Sequence, residues 1–363
     1  MNLAEKTPYY SYDLEKIHKN YSAFEKALPG VVLKYALKSN PMPEIVRTLR
    51  GLGSGFEVAS KSEIALLIAN DVDPREIIFS NPVKIPGDIE FAHRKGITVF
   101  AYDSAEEISK ISKGAPGASV LLRLRVYERG SVFSLQDKFG AEERQALALV
   151  KKAQEAGLRF YGLSFHVGSQ SLKLNTWKYA LEKVKRIQGV LRAQGIEIEA
   201  LDLGGGFPYG YRNMKAPSLL DIAKVIRPYI RSLKIPVVFA EPGRFMVANV
   251  ATLTTSIIHR TVRRGGTWLY LDAGTYNALF EAMNFQGNIQ YRVEALENKS
   301  TKQASYVLAG PTCDSIDTIT TSVRLPHDLK LGDKLRFYDV GAYTNALANG
   351  FNGFKPPRAI FDK

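Results

Sequence analysis

The feature that most constrains this chain is a regular alternation, before residue 251, of short apolar runs and segments with helical periodicity. Glycine follows several of the helical segments, as in AEERQALALVKKAQEAG, which is typical of helix ends. Strands that alternate with helices pair in parallel, so the pattern predicts a closed (β/α)8 barrel of the TIM type, with a doubly wound open sheet as the alternative. The predicted barrel strands lie at 31–38, 55–60, 76–81, 97–103, 119–126, 160–168, 199–205 and 236–243.

The sequence changes character after Ala251. Runs rich in β-branched and aromatic residues, such as TWLYLDAG and NIQYRVEAL, are separated by turns, and helical periodicity almost disappears. This pattern predicts a C-terminal antiparallel β domain, a β-barrel or a sandwich, over residues 251–363. A strand within residues 1–13 is expected to join that domain, which leaves residues 14–250 for the barrel.

Composition argues against several other classes of protein. The chain has 49 Lys and Arg against 36 Asp and Glu, but this charge is dispersed, and we interpret its densest cluster, HRTVRR, as a solvated surface without a nucleic-acid-binding motif. The single cysteine, Cys313, provides no disulfide framework and is typical of a reducing cytoplasm. No apolar run reaches the roughly 20 residues of a membrane span. We therefore expect a cytoplasmic protein that binds no metal, membrane or nucleic acid.

One lysine stands where a buried strand is predicted to end, in VVLKYALKSN. Lysine is seldom buried unless it is paired, so Lys38 either simply faces water or carries the working amine of a site. In a TIM barrel the active site forms at the C-terminal ends of the strands. The other polar residues and glycines near those ends are Glu57, Glu63, Asn81, His166, Gly168, Ser169, Gly204, Gly205, Gly206, Glu241 and Arg244.

Together these residues favour a working amine. The backbone amides of the glycine triplet can bind a phosphate, with Ser169 and Arg244 as further donors. A phosphate pocket beside a lysine amine is typical of pyridoxal phosphate held as a Schiff base. We therefore predict that Lys38 anchors this cofactor, that Glu241 pairs with its ring nitrogen and that His166 stacks on its ring.

Ordered motifs extend this prediction over nearly the whole chain: YALKSNP, GSGFEVASKSEI, FHVGSQ, LDLGGGFP, AEPGRFMVA, GPTCDSID, VGAYT and FNGF. In these motifs the chain resembles the alanine-racemase-fold (fold type III) pyridoxal-phosphate decarboxylases, and among them the ornithine/lysine decarboxylases. The resemblance implies a head-to-tail homodimer with two shared active sites. Glu57 stands where many members have aspartate, and Glu63 matches a further acid near the cofactor. The cofactor-binding residues that the resemblance implies are Lys38, Glu57, His166, Ser169, Gly205, Gly206, Glu241, Arg244 and Tyr343.

The resemblance also implies residues that act on the substrate. Cys313 matches a residue that helps to return a proton to the carbanion, and Asp314 matches an acid that binds a distal amine, both reaching in from the partner subunit. The segment DSIDTI reads as a helix start, so Asp317 is expected to cap or support it. Lys38 and His166 complete the catalytic set.

The segment after the DAG turn departs from the family pattern. Bacterial relatives tend to carry acids late in this segment, whereas Asn284 and Phe285 occupy those positions here and only Glu281 remains. The substrate is therefore less well defined than the chemistry. The expected substrate-binding residues are Asp314, Glu281, Asn284 and Phe351.

These observations predict a decarboxylase of a basic L-amino acid, of the ornithine/lysine type, that forms a diamine used as a polyamine precursor. The enzyme alternative is a related decarboxylase of another diamino acid or of a siderophore or antibiotic precursor. The non-enzyme alternative is a regulator like the antizyme inhibitors, and the retention of the lysine, the histidine and the cysteine argues against it.

Overall fold

The computed structural model describes residues 6–127, 130–133, 137–283, 289–298 and 300–361. The chain divides into two compact units. One, the barrel unit, consists of His18–Pro208 and Ala216–Met246, and the other, the β unit, contains the remaining described residues. No helix in these described ranges is long and apolar enough to cross a membrane.

Strands and helices are numbered in chain order. The strands are β1 Tyr9–Tyr12, β2 Val31–Ala36, β3 Gly55–Val58, β4 Ile77–Phe79, β5 Val99–Tyr102, β6 Ser119–Leu124, β7 Ser131–Phe133, β8 Arg159–Phe165, β9 Ser169–Ser171, β10 Ala200–Asp202, β11 Val237–Ala240, β12 Ala251–Arg263, β13 Gly266–Leu271, β14 Val293–Ala295, β15 Gln303–Ala309, β16 Thr318–Pro326, β17 Lys334–Tyr338 and β18 Arg358–Phe361. The α-helices are α1 Glu15–Ala27, α2 Pro43–Gly51, α3 Lys61–Ile68, α4 Pro86–Arg94, α5 Ala105–Gly114, α6 Ala146–Glu155, α7 Leu174–Arg192, α8 Leu219–Leu233 and α9 Arg244–Val247.

The eight predicted strand runs form a closed barrel. Its strands follow the order β2-β3-β4-β5-β6-β8-β10-β11, and β11 pairs with β2 to close the ring. All of the pairs are parallel, and β8 lies between β6 and β10. The (β/α)8 prediction is confirmed, and the open-sheet alternative is wrong because a closed ring leaves no edge strand.

Apolar side chains fill the barrel unit, as expected for strands that are covered on both faces. Phe56, Phe79 and Phe100, on three neighbouring strands, are fully buried. One close approach requires glycine: a Cβ on Gly162 of β8 would overlap the carbonyl oxygen of Ala200 in β10. This packing fixes the strand ends, and with them the polar residues that follow each strand.

The β unit contains a mainly antiparallel sheet. Its path is β14-β17-β12-β13-β15-β16, and the N-terminal strand β1 pairs with β12 and β18. Two of its pairs, β1 with β18 and β13 with β15, are parallel, which the sequence pattern did not indicate. From residue 251 onwards, the described parts of the chain contain short 3-10 turns but no α-helix.

Candidate active site

Lys38 lies in a 3-10 turn, Leu37–Ser39, that follows β2 directly. Its Nζ is 2.7 Å from Oε2 of Glu57, which lies in the adjacent strand β3. The Lys38 side chain is 42% exposed, whereas that of Glu57 is 2% exposed. A buried carboxylate is stable when it is paired, so this contact holds the head of the partly exposed lysine against β3 at the end of the barrel strands.

The second oxygen of Glu57 also has a partner. Ser80 Oγ, directly after β4, donates a 2.8 Å hydrogen bond to Glu57 Oε1. Asn81, the residue predicted at this strand end, instead donates its side-chain amide to the carbonyl of Val83. Ser80 was missed because a serine at a strand end has no distinctive signal until its partner on the next strand is known.

Glu63 lies in the first turn of α3, where it accepts a 2.6 Å hydrogen bond from the backbone N–H of Ala59. Ser60 Oγ in turn accepts from the Glu63 backbone N–H, as in a helix-capping arrangement. Burial raises the pKa of Glu63, and the charge of Glu57 raises it further. Glu63 therefore stabilises the start of α3 and adds to the acidic surroundings of Glu57.

His166 follows β8, and its Nδ1 accepts a 2.9 Å hydrogen bond from the backbone N–H of Gly168. Burial lowers the pKa of His166 well below its usual value, and the positive charges of Arg123 and Lys38 lower it further. The ring is therefore neutral near pH 7, and because Nδ1 is the acceptor, its proton is on Nε2.

The glycine triplet after β10 lies so close to neighbouring atoms that a side chain there would collide with them. A Cβ on Gly205 would lie 2.8 Å from His166 Nε2. Gly206 has a φ of +95°, and a Cβ there would lie 2.5 Å from the Gly168 carbonyl oxygen. Only glycine fits both positions, so the backbone is bare beside the histidine ring.

Two buried carboxyl groups lie at the ends of β10 and β11. Burial raises the pKa of Glu241 well above its usual value, and the neighbouring charge of Asp202 adds to this. Burial raises the pKa of Asp202 to about 6. Oε1 of Glu241 has no hydrogen-bond partner among the described residues. Asp202 was missed, although the rule that selected the other strand ends applies equally to LDLGGG.

Arg244 begins α9 and is almost fully buried, with 3% exposure. Its Nη2 donates a 3.4 Å hydrogen bond to Oγ of Ser169 in β9. The barrel unit therefore brings together most of the predicted cofactor-binding residues: Lys38, Glu57, His166, Ser169, Gly205, Gly206, Glu241 and Arg244.

A second set of predicted residues lies in the β unit. Cys313 is exposed, and both its Sγ and its backbone N–H donate to Oδ1 of Asn352, at 3.3 and 3.2 Å. Tyr276 packs against the ring of Phe351, with 4.6 Å between the ring centres, and its hydroxyl bonds to Asp314. Asn352 and Tyr276 were not singled out from sequence, although each lies within or near a motif, FNGF or DAG.

The predicted helix start at DSIDTI is wrong, because the chain enters strand β16 at Thr318. Asp317 is instead buried with 2% exposure and caps no helix. Its carboxylate accepts hydrogen bonds from the backbone N–H groups of Thr275, at 2.6 Å, and Thr312, at 3.1 Å. Asp317 thus supports the loop that carries Cys313.

The remaining predicted residues also belong to the β unit. Glu281 is half-buried in a 3-10 turn, Phe280–Ala282. Tyr343 has a φ of +56°, in the left-handed region, and its ring is half-buried. Asn284 and Phe285 lie outside the described residues.

Comparisons with known proteins agree with this fold. A family model for the pyridoxal-binding domain of pyridoxal-dependent decarboxylases matches residues 14–248. The lysine/ornithine decarboxylase of Selenomonas ruminantium is 36% identical over 358 residues, which cover 98% of this chain and 90% of that protein.

Solved structures give the same result. The lysine/ornithine decarboxylase of Vibrio vulnificus complexed with putrescine superposes with a TM-score of 0.90 at 34% identity, covering 98% of this chain and 94% of that one. The arginine decarboxylase of Paramecium bursaria Chlorella virus bound to agmatine gives a TM-score of 0.92 at 28% identity, covering 99% and 97%.

The fold and the barrel site define a class, the (β/α)8-barrel enzymes that use pyridoxal phosphate. Within that class, the chain belongs to the pyridoxal-dependent decarboxylases of the ornithine/arginine type. It is therefore a carbon–carbon lyase that removes the carboxyl group of an amino acid.

Proposed function

We propose that this protein decarboxylates a basic L-amino acid, of the ornithine or lysine type, and releases the corresponding diamine. The observation that carries this proposal is the contact between the accessible Lys38 amine and the buried Glu57 carboxylate, beside the glycine triplet at one end of the barrel. An amine in this position fits a covalent cofactor anchor better than a solvated surface lysine.

The barrel residues fit pyridoxal phosphate in three respects. The bare backbone of Gly205 and Gly206, with Arg244 and Ser169, suits a phosphate group. The buried Oε1 of Glu241, which has no partner among the described residues, suits a protonated ring nitrogen. A neutral imidazole can pack on the ring without charge repulsion. We assign the His166 imidazole to one face of the pyridine ring of the cofactor. On the strength of the family resemblance, we also include Tyr343 among the phosphate ligands.

When bound, pyridoxal phosphate supplies an electron sink that makes loss of CO₂ from an α-amino acid possible. Lys38 would hold the cofactor covalently through Nζ, and its amine would be free while the substrate is bound. The carboxylate of Glu57 is placed to hold a proton on the released Lys38 amine. Cys313, whose thiol bonds to Asn352, delivers the proton that replaces the lost carboxyl group.

We further propose that the active unit is a homodimer, in which Cys313 and Asp314 complete the site of the partner subunit. This proposal rests on the resemblance to the family, and the accessibility of Cys313 in the single chain supports it. The cytoplasmic location that we expect agrees with a free thiol at this position.

The substrate class follows from Asp314. Its carboxylate is fixed by Tyr276 and by the backbone N–H of Ile316, so it can bind a distal ammonium or guanidinium group. Such a charge-assisted hydrogen bond contributes roughly 1.5–3 kcal/mol. The relatives from Vibrio and the Chlorella virus are bound to putrescine and agmatine, which are both cationic amines.

The test has two stages. Borohydride reduction of the protein loaded with pyridoxal phosphate should fix the label on Lys38; a protein that cannot be loaded would favour a regulator. Released CO₂ is then measured as kcat/KM for ornithine, lysine, arginine, diaminopimelate and 2,3-diaminopropionate derivatives.

The parent should act on basic substrates with modest preference among chain lengths, and Asp314→Asn should lower kcat/KM by about ten-fold or more. Asn284→Asp should sharpen the preference, because it restores an acid that relatives carry. A thousand-fold preference of the parent for ornithine, unchanged by Asn284→Asp, would contradict this account of the substrate site.

A further inference from the structure

Glu57 is held between two donors from two neighbouring parts of the barrel. Lys38 Nζ donates to Oε2 at 2.7 Å, and Ser80 Oγ donates to Oε1 at 2.8 Å. Both Glu57 and Ser80 are buried, with 2% and 6% exposure. Each carboxylate oxygen therefore has one defined partner, and the hydroxyl group fixes which oxygen faces the lysine.

The surroundings of Glu57 are strongly acidic. The charge of Glu57 raises the pKa values of three other carboxyl groups, those of Glu63 on α3, Asp202 on β10 and Glu241 after β11. Two cations act on this cluster: the charge of Lys38 lowers the pKa values of Glu63 and Glu241, and that of Arg123 lowers the pKa of Asp202. Both cations also act on the imidazole of His166, whose pKa they lower further below its usual value. Against the repulsion of these three acids, the Glu57 carboxylate is held in place by two donors, Lys38 Nζ and Ser80 Oγ.

The Ser80 hydroxyl is such a donor. A hydroxyl that donates to a carboxylate stabilises the ionised form, and this stabilisation is greater when both groups are buried. Without it, Oε1 would be a buried oxygen that has lost its partner, which is unfavourable. The Glu57 carboxylate would then be free to turn, and its second oxygen would no longer be fixed against the Lys38 amine.

We infer that Ser80 is a positioning residue that, through Glu57, sets the pH at which the Lys38 amine becomes a neutral nucleophile. The inference deepens the proposed function and rests on its assignment of Lys38. In chemical terms, Ser80 and Glu57 keep the proton on Nζ when the lysine is free, so the amine is released as an ammonium ion. An aldehyde cofactor reacts with the neutral amine, so its loading is thereby shifted to higher pH.

The test uses the cofactor-free protein, so that it does not depend on turnover. Lys38 is trace-labelled with acetic anhydride from pH 6 to 11, and mass spectrometry follows its acetylation, which reports the neutral amine. Glu57→Gln should lower the labelling midpoint by about one pH unit. At a fixed pH well below both midpoints, acetylation of the variant should then be about ten-fold faster than that of the parent. Ser80→Ala should shift it in the same direction by a smaller amount, and Ser80→Thr should restore the parent midpoint.

The double variant Ser80→Ala, Glu57→Gln should match Glu57→Gln alone, because Ser80 acts only through the carboxylate. Ser54→Ala is the matched control: it removes a buried hydroxyl of the same barrel unit that donates to the Gly55 carbonyl, and it should leave the midpoint unchanged. Thermal unfolding of each variant checks that it is folded, and Ser80→Cys, with a weaker donor, replaces Ser80→Ala if that variant is not.

An unchanged midpoint in folded Ser80→Ala, or additive shifts in the double variant, would overturn the inference. Borohydride labelling separates this failure from failure of the proposed function. If the loaded parent carries its label on Lys38 and the Ser80→Ala midpoint does not move, only the role of Ser80 is refuted. If the label lies on another lysine, the assignment of Lys38 itself is refuted.

Discussion

The hydroxyl of Tyr276 donates a 2.5 Å hydrogen bond to Oδ2 of Asp314. This bond is the largest cause of a pKa of Asp314 below its usual value, and the backbone N–H of Ile316, which donates to Oδ1, adds to it. Asp314 is half-buried, and burial alone would raise its pKa, so these two donors keep the carboxyl group ionised in mildly acidic solution. A substrate cation would therefore meet a carboxylate over a wide range of pH.

The first prediction concerns this tyrosine. Tyr276→Phe removes the main donor, so the pKa of Asp314 should rise and the carboxylate should be lost at a higher pH as the solution is acidified. The acidic limb of kcat/KM for a basic substrate should move to higher pH, with KM raised several-fold and kcat changed less. Tyr338→Phe, which removes a similar bond to Glu294, is the control and should leave the profile of the parent unchanged.

The second prediction concerns the fate of the carbanion. Cys313→Ala should lower kcat by about ten- to 100-fold, or divert the proton to the wrong carbon and release a ketone or aldehyde, while KM changes little. Asn352→Gly should act in the same direction but more weakly, because it removes the acceptor of the thiol and its φ of +54° suits glycine. Products are identified by mass spectrometry. Normal turnover and normal product in both variants would limit Cys313 to a packing role.

The third prediction tests the shared site. Lys38→Ala subunits are expected to be inactive and Cys313→Ala subunits to keep about a tenth of the parent activity or less, but a hybrid dimer would keep one intact site. Mixing equal amounts should restore up to about one quarter of the parent activity if subunits exchange at random. Exchange is verified with differently tagged subunits. Activity that stays at the level of the separate variants despite exchange would refute a site built from two chains.

The barrel was predictable because its signal is local. A strand covered on both faces is a continuous apolar run, as in VVLKYALK, and its neighbours in the chain are also its neighbours in the sheet. The β unit was less predictable in detail. The parallel pair of β13 and β15 joins strands that are separated in sequence, and no local pattern specifies such a pairing.

The residues of the site divide in the same way, into those with a local sequence signal and those without one. Lys38, His166 and Glu241 could be selected from the sequence because strand ends and motifs identify them, and the structure places these three in one unit. Ser80, Tyr276 and Asn352 were missed because each gains its importance from one partner distant in sequence. DSIDTI was misread as a helix start, since an acid that begins a helix looks the same in sequence as one that binds backbone amides of another loop.

The last prediction concerns the buried acid Asp202. Burial raises its pKa from 3.8 to about 6. At pH values between these two, the folded protein still holds a proton that the unfolded chain has lost. The folded state is therefore favoured at low pH through this group, and that contribution is lost as the pH rises from about 4 to about 6 and remains absent above it.

Asp202→Asn removes this titration while its side-chain oxygen can still accept the hydrogen bond from the Gly204 backbone N–H. Both proteins are compared without cofactor. When the pH is raised from about 5 to about 7.5, the unfolding free energy of Asp202→Asn should increase by roughly 1–2 kcal/mol relative to that of the parent. Part of this difference arises because Glu241 loses a neighbouring charge. Urea unfolding at the two pH values measures this difference. Asp71→Asn, at a side chain that is 88% exposed, is the control and should behave as the parent does. The same pH dependence in the parent and in Asp202→Asn would show that Asp202 is already ionised in the folded protein.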